Sequence, residues 1–160
     1  MARLPDRFDL WMCKARTCPD PARQADYVLG TLAGLKEWHF LNVGTADEPK
    51  AAEAEVEGHQ ALLVFSDAGR IEELVGESNR TSTGTPLPII TIPFPAAMTW
   101  CLERRAGLLV NPGDGAALVP FEELERFHGE WNRRGGAQAS GFWIPNMTTQ
   151  EEDFWQEHQL

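Results

Sequence analysis

The chain is 160 residues long and 42% hydrophobic, enough for one compact domain with a core of its own. Its formal net charge of −10 argues against a nucleic-acid partner or an anionic membrane surface, both of which are gripped by clustered lysines and arginines. It contains no run of about 18 apolar residues that could span a bilayer.

The first 21 residues, MARLPDRFDLWMCKARTCPDP, scatter charge and lack the apolar core of a secretory leader, so a cytoplasmic location is expected. Cys13, Cys18 and Cys101 are an odd set with no second Cys or His pair nearby, and they read as reduced thiols rather than zinc ligands. The first helix is expected over 20–37, with Asp20 as cap and Pro21 at the first helical position. Ala22, Ala25, Val28, Leu29, Leu32 and Leu35 recur along it at helical spacing. A strand follows in WHFLNVG, residues 38–44, ended by Gly44. Ala52, Ala54 and Val56 then alternate with Glu53, Glu55 and Glu57, the period-two pattern of a strand with one wet face. Gly58 with His59 supplies a turn into the more apolar strand ALLVF, and the three strands together suggest an antiparallel meander.

After Phe65 the period changes. Ser66 or Asp67 can cap a helix that turns Ile71, Leu74 and Val75 inward and ends near Gly76. ESNRTSTGTPLP, residues 77–88, is polar loop composition. IITI is a short strand fenced by Pro88 and Pro93. Pro95 opens the helix AAMTWCLERRA, with Gly107 expected as its left-handed stop and Cys101 on its apolar side. A strand, LLV, runs into Asn111-Pro112-Gly113-Asp114-Gly115, which is strong turn chemistry. ALV is extended, and Pro120 starts a helix carrying Phe121, Leu124, Phe127 and Trp131 on one face. Residues 132–141, NRRGGAQASG, have linker composition. In the tail, residues 142–160, Thr148 with Glu151 or Thr149 with Glu152 can form a capping box for a short helix.

No nucleophile elbow, metalloprotease helix, phosphate loop or dinucleotide fingerprint is present, so no catalytic residue, metal or cofactor is assigned. The 107–127 stretch has no lysine, and the Asn111–Gly115 loop reads first as a structural connection. Were it a binding loop for a small molecule or anion, Ser66, Asp67, Asn111, Gly113 and Asp114 would line it. In the tail, Phe142, Trp143, Phe154 and Trp155 would either pack on their own domain or insert into a partner.

Two stretches, QALLVFSDAGRIEELV (60–75) and GLLVNPGDGAALVPFEELERF (107–127), with IITIPFPAAMTWCLERRAG (89–107) between them, resemble the SseB N-terminal-domain family, named for enhanced serine sensitivity and linked to type III secretion. The resemblance covers roughly residues 20–130 and implies an α/β domain with a mixed sheet and no established catalytic residues. The resulting expectation is a single α/β domain of α+β character over 1–131, with five to six strands flanked by about four helices. A Gly-rich linker (132–141) and an aromatic, acidic tail (142–160) complete the chain. The expected function is a non-enzymatic, cytoplasmic protein-interaction or regulatory module of SseB type. Its partner would be another protein or a second copy. A small-molecule or anion binder, possibly an enzyme, is the alternative.

Overall fold

The computed structural model describes residues 6–78, 88–113, 116–134 and 143–158. Among them are six helices and one mixed sheet of six strands, so the fold is α/β. The chain divides into two compact units, a sheet unit spanning Glu37–Glu122 and a helical unit made of Met1–Lys36 with Glu123–Leu160.

The helical unit begins with α1 (Arg7–Thr17), a helix that the sequence reading did not anticipate. Its signal is present in the chain. Asp6 accepts from the Asp9 N–H while Asp9 accepts from the Asp6 N–H, a capping box, and Phe8, Trp11, Met12 and Ala15 fall at helical spacing and are buried. The charges between those positions disguised the stripe. α1 packs on α2 (Pro21–Ala33), which Asp20 caps as expected. α2 stops at Gly34 rather than at residue 37. It is buried nearly all round, from Ala25 through Ala33, which is the pattern of a core helix rather than a surface one.

In the sheet unit, β1 (Glu37–Leu41), β2 (Glu53–Val56), β3 (His59–Phe65), β4 (Ile89–Pro93), β5 (Gly107–Val110) and β6 (Ala117–Val119) form the order β4-β1-β3-β5-β6, with β2 also paired to β3. The expected meander does not occur. β1 and β2 both run antiparallel to β3, meeting it at Phe40–Val64 and at Glu53–Leu62, so they share one edge of β3 end to end. Residues 42–51 are an excursion between them, closed by the Asn42–Ala51 bridge and by the Ala52 N–H donating to the Leu41 carbonyl. The Asn42 Oδ1 accepts from the Gly44 and Lys50 N–H groups at 2.9 and 3.0 Å. At Gly44 a Cβ would lie 2.3 Å from the Glu48 carbonyl oxygen, so only glycine fits the excursion.

The β2–β3 turn also shifts by one residue. Its central pair is Glu57 and Gly58, at φ +51° and +80°, and His59 is already in β3. Both positive angles match a two-residue hairpin turn whose twist follows that of the strands.

α3 (Ala68–Ser78) follows β3, and α4 (Ala96–Glu103) follows β4. Gly107 is not the stop of α4. Arg105 takes the left-handed conformation at φ +55°, while Gly107 opens β5, where a Cβ would meet the Val119 carbonyl oxygen at 2.3 Å. Trp38, Phe40, Leu62, Val64, Leu108, Val110 and Val119 point to one face and are fully buried. β3 and β5 are the parallel pair, and the other ladders are antiparallel.

The boundary between units falls inside α5 (Phe121–Arg134), so residues 132–134 are helix, not linker, and the remainder of the expected linker, 135–141, lies outside the described residues. Most of the expected polar loop, residues 79–87, lies outside them too. The tail forms α6 (Thr149–Glu157), capped by Thr148 and Glu151, the first of the two pairs that the sequence offered. The helices number six among the described residues: the four expected to flank the sheet, the expected short tail helix α6, and the unanticipated α1.

Candidate functional site

The parallel strands β3 and β5 end side by side, and the chain leaves them in opposite senses, to α3 from one and to β6 from the other. Open α/β sheets place ligands at such a point. The structure brings Ser66 and Asn111 together there, although they are 45 residues apart in sequence. Asn111 is 4% exposed and left-handed at φ +49°. Its N–H donates to the Val64 carbonyl at 2.8 Å, its Oδ1 accepts from the Ser66 N–H at 2.9 Å, and its Nδ2 donates to the Ser66 Oγ at 3.1 Å. The amide therefore clasps the two strand ends.

Asp67 accepts from the Arg70 N–H at 3.2 Å and faces the Arg70 guanidinium at 3.4 Å, within the first turn of α3. At Gly113, φ +94°, a Cβ would come within 2.9 Å of Leu74 Cδ1, so the loop lies directly on α3. Asp114 is outside the described residues. Ser66 and Asn111 thus hold each other, and Asp67 holds Arg70.

The tail aromatics lie in the helical unit. Phe154 stands edge-on to Trp11 at 4.6 Å between centroids, and Trp155 lies 5.5 Å from the same ring. The Trp11 Nε1–H donates to the His158 carbonyl at 3.1 Å. Trp143 contacts Phe127 at 5.6 Å, with the Arg134 guanidinium 5.1 Å from its ring centroid, while Phe142 is outside the described residues. Glu151, 7% exposed, accepts from the Tyr27 hydroxyl and from the Arg23 guanidinium. Burial alone would raise this carboxyl. The Tyr27 bond, the Thr148 N–H and the Arg23 charge outweigh it, and its pKa falls below the ordinary 4.5. The same burial and bond raise the Tyr27 phenol. Among the described residues, Phe154 and Trp155 thus contact Trp11 of α1, and Trp143 contacts Phe127 of α5.

An open apolar groove of about 450 Å³ lies in the sheet unit, lined by Ile92 of β4 and by Ala96, Thr99, Trp100 and Glu103 of α4. Trp100 is half-buried, edge-on to Phe40 at 5.0 Å, and the Arg104 guanidinium caps it 4.0 Å from the ring centroid. Sequence reasoning missed this feature. Its signal was the spacing of Ala96, Thr99, Trp100 and Glu103 on a helix face that Cys101 and Met98 do not share. Cys101 is fully buried, and burial pushes its thiol up to about 12, far from a reactive thiolate. Among the described residues no group of three or more His, Cys, Asp or Glu side chains is placed to hold a metal ion, and no helix is long and apolar enough to cross a membrane.

No family model, curated protein or solved structure matches the chain.

Proposed function

We propose that the chain is a non-enzymatic, cytoplasmic protein-interaction or regulatory module, of the SseB type that its motifs resemble, and that its contact surface is the groove between α4 and β4. The observation that carries this reading is the groove's chemistry. Small-molecule sites enclose their ligand and converge several polar groups on it. This groove is open, apolar along Ile92, Ala96 and Trp100, and crowned by a stacked Trp–Arg pair. Tryptophan and arginine are the residues that dominate protein–protein contacts.

A photo-crosslinking residue at the exposed Thr99 tests it, with the same residue at the exposed Glu72 on α3 as control. A discrete adduct is expected from position 99 only, reduced roughly tenfold by Trp100→Ala, the loss typical of a contact hot spot. Equal adducts at both positions, or none at 99, would discard the groove.

The placement of Ser66 beside Asn111 at the ends of a parallel pair favours a second reading, a small-molecule or anion site at that loop. Thermal-shift screening against nucleotides, amino acids, sugar phosphates and metals tests it. A stabilising ligand whose effect survives Trp100→Ala but not Asn111→Ala would establish it.

A further inference from the structure

We infer that the outer edge of β4 accepts an extended, lysine- or arginine-bearing segment of another protein as an added β-strand, with that segment's apolar side chains entering the Ile92–Trp100 groove. This rests on the interaction-module reading above and names the kind of partner it takes.

The backbone geometry comes first. β4 ends the strand order, and its outer edge pairs with no strand among the described residues. The Asn42 N–H donates to the Pro88 carbonyl at 3.0 Å, so position 88 faces β1. In an antiparallel ladder the direction of the peptide groups alternates. Ile90 and Ile92 therefore also face β1, opposite Phe40 and Trp38, while the N–H and C=O groups of Ile89 and Thr91 and the carbonyl of Pro93 point outward. That is a short strand-addition template, bounded by prolines at 88 and 93 that keep a longer strand from growing along it.

The side chains come second. Ile92 lines the groove and lies on the sheet face that α4 covers, as the contact of Phe40 with Trp100 shows. A strand laid beside β4 places every second side chain on that same face, next to Ile92 and over Ala96 and Trp100. Main-chain bonds along the edge then supply affinity, and the groove supplies selection of an apolar residue.

Charge decides the occupant. The sheet unit, Glu37–Glu122, carries 13 acidic and 5 basic side chains, a net of −8, while the rest of the chain carries 11 and 9, a net of −2. Glu103 lines the groove itself, where the Arg104 guanidinium is already placed over the Trp100 ring, and the exposed Glu37 lies opposite Pro93 in the β1–β4 register. Two copies paired through β4 would bring two such acidic units together, whereas a basic segment gains from the field.

The experiment uses the full chain labelled for NMR, with an acetylated, amidated peptide of alternating lysine and valine, and its glutamate–valine counterpart. The lysine peptide is expected to slow amide exchange at Ile89 and Thr91, to shift the Trp100 indole signal, and to weaken with added salt. Thr91→Pro, which deletes one outward donor, is expected to abolish the protection, its fold verified from the remaining amide signals. Glu103→Lys, a surface change, is expected to weaken binding roughly fivefold. A shifted indole without protection at Ile89 and Thr91 would overturn strand addition and leave the interaction module standing. Equal binding of the glutamate peptide would overturn the basic partner. Protection that grows with protein concentration in the absence of peptide would make the occupant a second copy. No response to either peptide overturns the inference, and only a missing Thr99 adduct as well would remove the module itself.

Discussion

In the helical unit, Trp11 meets Phe154 and Trp155, Trp143 meets Phe127, and the buried Glu151 ties Arg23 and Tyr27 to the tail. In the sheet unit, Trp100 is half-exposed under Arg104, an edge strand presents outward peptide groups, and most of the chain's negative charge is gathered. Both units hold half-buried tryptophans with ring partners, Trp143 and Trp155 in one and Trp100 in the other, yet Trp100 also lines an open apolar groove. Aromatic content alone therefore does not locate a contact surface. What locates it is whether an open groove lies beside the ring, as it does where Trp100 and Ile92 line one.

The contrast breaks most sharply at Trp11. Trp11→Ala removes a fully buried indole and its bond to the His158 carbonyl, and is expected to cost about 4 kcal/mol in chemical denaturation. A loss below about 1 kcal/mol would mean that the tail is not held there. Glu151→Ala comes next, at about 2–3 kcal/mol near neutral pH, because it leaves the buried Tyr27 hydroxyl without its acceptor, removes one carboxylate partner of Arg23 and takes away the Glu151 half of the α6 capping box. The sign of its pH dependence follows from a carboxyl held below its ordinary 4.5. Its contribution is present above that value and disappears as pH falls through the lower folded one. Wild type and Glu151→Gln should accordingly converge in stability on acidification, and a gap that widens instead would refute the pairing.

The smallest of the three effects belongs to the sheet unit. Asn111→Ala is expected to cost about 2 kcal/mol, since it leaves the Ser66 N–H without its acceptor and places alanine at φ +49°. If stability is unchanged and a ligand-induced shift is lost, the clasp is a binding group and the second reading gains.

Much of this architecture was legible residue by residue. Asp20 and Thr148 caps, the Ala54–Val56 alternation against Glu53 and Glu55, and the turn at Asn111–Gly113 are local preferences that the structure keeps. α1 was legible too, but scattered charges hid Phe8, Trp11, Met12 and Ala15. The meander was misread because strand pairing is not local. Periodicity identifies a strand and its faces, but not which edge it joins. The 42–51 excursion lets β1 and β2 share one side of β3, and nothing in their alternation encodes that.

The sequence by itself determined the α/β class, the acidic balance, most element positions and the capping residues, because each depends on neighbours within a few positions along the chain. Only the tertiary structure decided that Asn111 clasps Ser66, that Phe154 and Trp143 meet Trp11 and Phe127, and that Ile92 and Trp100 wall a groove beside the last strand in the order of the described sheet. Each of those depends on residues far apart in sequence, and their proximity is set by strand order and packing that no single segment specifies.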